Sequence, residues 1–290
     1  MKIFDPSELD KLYKPHQNSS GEDNGQITII GGSKLFHGAP VLALKTASRI
    51  VDMVFFASPE PSVGRIAEQI KSQLMSFIWV PWGDVDAYIQ KSDAVLVGPG
   101  FMRFKSESQI TNHQSLSGYD GAARVTRDIT KRLLLKFSNK KWVIDAGSLQ
   151  TMDEDWLPNG AILTPNAKEF NLLFKIKNQT PNIVWERAKK YKCTIVLKGP
   201  ETIVCSPDEC VIVKGGNPGM TKGGTGDVLA GLTVSLLAKN DPFLAAASAS
   251  YIAKTAADEL FKKVGTNYNA DDLANKIPEV LSQLTNNSKV

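Results

Sequence analysis

Short β-branched runs alternating with longer helical patterns constrain the fold of this chain more than any other feature. Residues 26–30 (QITII), 53–57 (MVFFA), 94–97 (AVLV), 142–145 (WVID) and 194–197 (TIVL) have the length and composition of buried strands. Between them, 39–51, 60–74, 123–137 and 182–191 carry helical patterns. A strand reaches a parallel neighbour only through a crossover, usually a helix, so the alternation predicts an α/β fold with a mainly parallel sheet covered on both faces. Two further runs, 201–205 and 209–213, joined by Ser206-Pro207-Asp208, predict a hairpin, and 225–239, 242–263 and 270–285 are helical. Residues 1–25 are expected to be an N-terminal leader and 26–290 a single domain. The Ser- and Gly-rich segment 102–122 is expected to be a mobile surface loop.

Composition excludes several classes of function. A chain of 290 residues with 42% hydrophobic content can bury about three quarters of its unfolded surface. The formal charge of +4 suits anionic small molecules and does not point to nucleic acid. No apolar run approaches the roughly 20 residues of a membrane span, and MKIFDPSELDKLY lacks the core of a signal peptide, so the cytoplasm is the expected location. Cys193, Cys205 and Cys210 are odd in number and lack CxxC spacing, so reduced thiols are expected. His16, His37 and His113 are too scattered to suggest a metal cluster.

The stretch from Gly219 to Leu232 (GMTKGGTGDVLAGL) combines a glycine-dense loop, a helix start and one carboxylate. The first amides of a helix have no partner within it, and the helix dipole adds positive potential, so phosphate oxygens can settle there. Asp227 beside such an anion suits a base that takes a proton from a hydroxyl. The plainer alternative is an acidic residue in the first helical turn, worth roughly 0.3–1 kcal/mol. The spacing is neither that of a P-loop nor that of a dinucleotide-binding GxGxxG unit.

Ligands of open α/β sheets bind beyond the carboxyl ends of the strands. There the chain places Gly31-Gly32-Ser33 followed by Gly38-Ala39-Pro40, then Gly98-Pro99-Gly100, Asp145-Ala146-Gly147, Thr164-Pro165-Asn166 and Lys198-Gly199. Each has a structural reading as well: ordinary turns, a capping box of Asn166 with Glu169, or a solvated strand-end lysine. Taken together with the Gly224-Thr225-Gly226-Asp227 helix start, they favour a site.

The ordered series GGS, GAP, GPG, DAxxL, LTPN with Glu169, LKGPET and GNPGMTKGGTGDVLAGL resembles the ribokinase-like family of nicotinamide-nucleotide repair dehydratases across residues 26–280. The resemblance implies a ribokinase-like three-layer α/β sandwich. It also implies a hydro-lyase that returns the (S)-hydrate of NADH or NADPH to the reduced coenzyme with ADP or ATP. Hydrate-binding positions would be Ala39, Gly100, Asn166 and Asp227, with Asp227 as catalytic base. Nucleotide-binding positions would be Lys198, Gly199, Pro200, Glu201, Thr202, Gly224, Thr225 and Gly226, and Glu169 would hold Mg2+ through water. Two positions depart from the family's patterns: Asn166 stands where many bacterial members have His, and Gly147 replaces the second aspartate of a DAD triplet. Bacterial relatives form tetramers, so a homo-oligomer is expected. Two-function relatives carry an epimerase domain ahead of the dehydratase; 290 residues leave no room for one, so a separate epimerase is the expected partner.

Two other functions fit the same residues. A ribokinase-like small-molecule kinase would use Asn166-Ala167-Lys168-Glu169 as an NxxE magnesium motif and Asp227 to deprotonate an acceptor alcohol. A nucleotide-sensing module would need the anion loop but no base, and Asp227 argues against it.

Overall fold

A computed structural model describes residues 1–103 and 121–286. In chain order the elements are β1 (Lys2–Ile3), β2 (Gln26–Ile30), α1 (Gly38–Ala47), β3 (Met53–Ala57), α2 (Pro61–Ile70), β4 (Ile78–Val80), α3 (Val85–Lys91) and β5 (Ala94–Val97). They continue with α4 (Gly121–Lys136), β6 (Lys141–Ile144), α5 (Ala146–Thr151), β7 (Ile162–Leu163), α6 (Ala167–Phe174), α7 (Pro181–Tyr191) and β8 (Thr194–Leu197). The chain closes with β9 (Thr202–Cys205), β10 (Cys210–Val213), α8 (Thr225–Lys239), α9 (Pro242–Val264) and α10 (Ala270–Asn286).

All these strands join one sheet in the order β1-β10-β9-β8-β7-β6-β5-β2-β3-β4. Every pairing from β8 to β4 is parallel, while β9 is antiparallel to both β8 and β10. Successive strand residues point to opposite faces, which sends Ile27, Ile29, Val54, Phe56 and Leu96 to one core and Ile30, Phe55, Ala57, Val95 and Val97 to the other. The first core is closed by α1, α2, α8, α9 and α10, the second by α3 to α7, giving the expected three layers. α8 is buried almost all round from Val228 to Ala238, as befits a helix packed between the sheet and its neighbours.

Differences from expectation lie in the short elements. β1 and β4 have two or three residues, too few for a periodic signal, and the brief helices α3 and α5 likewise have no counterpart among the expected helices, whereas the strand end at Thr164 and the Asn166–Glu169 helix start are found as β7 and α6. Within 1–25, β1 pairs in parallel with β10, and Phe4, Leu9 and Leu12 are buried. The cysteine expectation needs correction: Cys205 and Cys210 face each other across the β9–β10 hairpin, Cα atoms 4.1 Å apart, and are joined by a disulfide. Parity and CxxC spacing carry no information about cross-strand register, which is what brings them together. Cys193 is free and buried. Most of the expected loop at 102–122 lies outside the described residues. Among the described residues, no helix is long and apolar enough to cross a membrane.

Candidate active site

Because β2, β5, β6, β7 and β8 run parallel, their carboxyl ends share one edge. That edge gathers the glycine turns, Asp145, Asn166 and Lys198. Gly100 sits at φ +73, and a Cβ there would lie 2.5 Å from the Phe36 carbonyl oxygen and 3.0 Å from Pro40 Cδ, so only glycine lets this turn close against the start of α1 beside Ala39. Asn166 pairs with Lys198 in an isolated parallel bridge, and the Lys198 amide donates to the Pro165 carbonyl at 2.9 Å. The turn after β7 is therefore fastened to the turn after β8.

A charged cluster occupies the middle of the edge. β6 ends at Ile144, one residue earlier than the sequence pattern suggests, which leaves Asp145 as the first residue beyond the strand. Asp145 is buried, and its Oδ1 accepts from Thr164 Oγ1 at 2.8 Å and from Lys198 Nζ at 3.0 Å. Lys198 Nζ also lies 3.9 Å from Glu169 Oε2. Burial opposes the charge on Lys198, yet Asp145 and Glu169 together hold its pKa above the ordinary lysine value. Glu169 is pushed up by burial, Lys198 pulling it down and Asp145 pushing it further up.

Asp227 stands in the first turn of α8, partly buried. Burial, then the like charge of Asp145, raises its pKa from 3.8 to about 7, against the pull of Lys198. A carboxyl poised there exchanges a proton near neutrality, which suits a general base. A Cβ at Gly226 would lie 3.4 Å from Lys198 Nζ, so the ammonium rests against the start of α8. An anion on the glycine loop would meet both the helix terminus and this cation.

Asn166 and Glu169 form a reciprocal capping box: Asn166 Oδ1 accepts from the Glu169 amide at 3.0 Å, and Glu169 Oε2 from the Asn166 amide at 2.8 Å. Gln150 Nε2 donates to Glu169 Oε1 at 3.0 Å. Both carboxylate oxygens of Glu169 are thus engaged within the protein. Among the described residues, no three His, Cys, Asp or Glu side chains are grouped to hold a metal.

The replacement of the second aspartate also has a physical reason. Ala146 adopts φ 46, and a Cβ on Gly147 would stand 2.4 Å from the Phe101 carbonyl oxygen. This backbone has no room for an aspartate side chain at 147. In the Lys198-to-Thr202 turn, Gly199, Pro200 and Glu201 are exposed, while Thr202 is buried with its hydroxyl donating to Gly199 O at 3.4 Å. Sequence reasoning left Asp145, Thr164, Gln150 and Lys254 without roles. Asp145 was visible as a strand-end carboxylate and Lys254 as a lone charge within an alanine-rich helix, whereas Thr164 and Gln150 gave no signal of their own.

The fold is that of the ribokinase-like class. A ribokinase-like superfamily protein from Enterococcus faecalis superposes with a TM-score of 0.78 at 19% identity, covering 98% of this chain and 96% of that one. The ADP/ATP-dependent NAD(P)H-hydrate dehydratase from Bacillus subtilis, co-crystallized with ATP/Mg2+, gives 0.74 at 21% identity, covering 98% of each. The family model described as NAD(P)H-hydrate dehydratase matches residues 27–279, and the chain belongs to that family. The bifunctional NAD(P)H-hydrate repair enzyme Nnr of Methanocaldococcus jannaschii is 35% identical over 285 residues, which cover 94% of this chain and 51% of that protein. The match covers about half or less of the length of the bifunctional relatives, 51%, 38% and 41% in three archaeal proteins.

Proposed function

We propose that the protein is a nucleotide-dependent hydro-lyase that dehydrates the (S)-hydrate of NADH or NADPH to the reduced coenzyme, using ADP or ATP. Family membership supports the reaction. The observation that carries it onto this chain is Asp227, a carboxyl raised to about 7 at the mouth of a glycine-rich helix start. In this reading the hydrate lies over Ala39, Gly100, Asn166 and Asp227. The nucleotide lies along Lys198, Gly199, Pro200, Glu201 and Thr202, with its phosphates at Gly224, Thr225 and Gly226. With ATP, Asp227 takes the proton of the hydrate's hydroxyl as that oxygen attacks the terminal phosphorus and ADP departs, and Lys198 balances phosphate charge. The phosphorylated oxygen then leaves with its C–O electrons as inorganic phosphate while the adjacent ring carbon loses a proton, which restores the double bond of the reduced coenzyme. Mg2+, held through water by Glu169, would neutralise phosphate charge when bound.

The protein acts as a homo-oligomer in the cytoplasm, alongside an epimerase activity that supplies the (S)-hydrate. Incubation with chemically hydrated NADH and either nucleotide, following reduced-coenzyme absorbance and nucleotide consumption together, tests the proposal. Recovery of absorbance only when a nucleotide is present is the expected result. No recovery with ADP or ATP, alongside phosphorylation of an unrelated alcohol, would replace this reading with the small-molecule kinase.

A further inference from the structure

Lys254 lies in the middle of α9, within a run from Ala245 to Ala257 that is otherwise uncharged. It is 5% exposed. Its Nζ donates to the carbonyls of Pro200 at 2.7 Å, Gly215 at 2.8 Å and Gly199 at 3.3 Å. An ammonium has three protons, and three backbone oxygens take them, so none is left for a phosphate. One helical turn further on, Asp258 accepts the Gly216 amide at 2.9 Å and Asn217 Nδ2 at 3.0 Å. Asn217 Oδ1 in turn accepts the Gly219 amide at 3.0 Å and the Tyr268 hydroxyl at 2.8 Å. Two side chains on one face of α9 thus grip both the turn after β8 and the approach to the glycine loop.

Burying an ammonium is costly, and a methionine would fill the same space without that cost. Neutral carbonyls supply the acceptors here, and Asp258 and Glu201 supply the negative charge; burial still holds the Lys254 pKa below the ordinary value. The carbonyls of Gly199 and Pro200 are turned toward α9. The trans peptide joining Pro200 to Glu201 therefore presents its N–H on the side away from the helix.

We propose that Lys254 is a positioning residue for the nucleotide, fixing the spacing between the 198–202 turn and the phosphate loop by tying Gly199 and Pro200 to Gly215. This rests on the reading of those two segments as the nucleotide site. Calorimetric titration of ADP and of ATP into the wild type, Lys254→Met and Lys254→Arg tests it, together with KM and kcat for the hydrate at saturating nucleotide. Lys254→Met should weaken nucleotide binding roughly 10-fold or more, as displacement of a binding turn by a fraction of an ångström can, while hydrate KM stays within about 2-fold. Hydrogen exchange should quicken in 198–202 and 214–219, and Lys254→Arg should recover part of the affinity. Should the Met variant fail to fold, Lys254→Gln, which keeps a donor, carries the same comparison. Intact wild-type binding with unchanged affinity in the variant and only a lower melting temperature overturns the proposal alone. A wild type that binds neither nucleotide overturns it together with the reading beneath it.

Discussion

Lys276 and Lys198 both sit among carboxylates, and they are used in opposite ways. Lys276 in α10 places its Nζ 2.7 Å from Glu259 and 2.5 Å from Glu279. Those two bonds raise the Lys276 pKa, and Lys276 holds the Glu279 carboxyl below its usual range, so each partner stabilises the charge of the other. Lys198 faces Asp145 at 3.0 Å and Glu169 at 3.9 Å, and its charge also bears on Asp227. One ammonium cannot balance three carboxylates. Burial and, after it, the uncompensated charge of Asp145 make the partly exposed Asp227 bind its proton far more tightly than an ordinary aspartate. A satisfied pair joins helices; an unsatisfied one stores the ability to move a proton.

The comparison breaks most readily at Asp227. Asn preserves local hydrogen bonding near a helix start but cannot accept a proton, so Asp227→Asn should lower turnover by roughly 10²–10⁴-fold with the fold and nucleotide affinity intact. Near-normal turnover in steady-state kinetics would reduce Asp227 to a residue that complements the helix dipole. Lys198→Ala comes next. It removes the cation against the start of α8, and nucleotide affinity should fall by roughly 10–100-fold, the scale of a charge-assisted hydrogen bond, with a smaller change for the hydrate. The same variant should move the acid limb of the pH–rate profile upward, because the pull on Asp227 is gone. Unchanged ADP and ATP binding by calorimetry would make Lys198 a structural partner of Asp145 alone.

The raised carboxyl also fixes a sign for pH dependence. In the wild type, hydrate turnover should rise with pH, with its acid limb near 7, where Asp227 ionises. For stability, the folded value of about 7 lies above the unfolded value of 3.8, so the folded state holds this proton more tightly. The stabilisation is full below 3.8 and is lost as pH rises through 7. An asparagine carries no such loss. At pH 8, Asp227→Asn should therefore melt above the wild type, by on the order of 1 kcal/mol after solvent screening or roughly 2–4 °C, with the gap closing toward pH 4. A variant that melts lower at pH 8 would show that the carboxylate is locally satisfied after all.

Much of this contrast was legible in the sequence, and the rest was hidden for identifiable reasons. The strands β2, β3, β5 and β8 declared themselves by β-branched runs, and their shared direction follows from the helices between them. That sufficed to put Lys198 at a strand end, while Asn166 was drawn in by the Thr164-Pro165-Asn166 turn and Asp227 by the glycine-loop helix start. Asp145 was visible, but its importance depends on a one-residue shift of the end of β6, within the usual error of a strand boundary. The pairing of Cys205 with Cys210 required the hairpin register. Lys254 shows the converse case: the anomaly, a charge in an alanine-rich helix, stands in the sequence, but its partners are backbone carbonyls about 40 to 55 positions away. Side-chain patterns do not announce which carbonyls a fold leaves in need of a donor.

The smallest expected effect tests the satisfied side of the comparison. Lys276→Met keeps the length of a side chain only 6% exposed while removing the ammonium between Glu259 and Glu279. Both carboxylates retain solvent access, at 28% and 55% side-chain exposure, so neither is stranded as a buried charge. The loss should stay near 1 kcal/mol, a drop of about 2–4 °C in melting temperature. Its pH dependence is set by the two shifts: the raised Lys276 pKa contributes up to the alkaline range, and the contribution of the lowered Glu279 pKa is full above the ordinary carboxylate value and lost as pH falls through the lowered folded value. The deficit should therefore be steady near neutrality and shrink as Glu279 protonates in acid. Kinetic constants should match the wild type. Glu259 is the chain neighbour of Asp258, which holds Gly216 and Asn217, so an equal fall in nucleotide affinity would mean that the α9–α10 ion pair helps to hold the phosphate loop. The two lysine clusters would then belong to one network, and the division between a structural pair and a chemical one would fail.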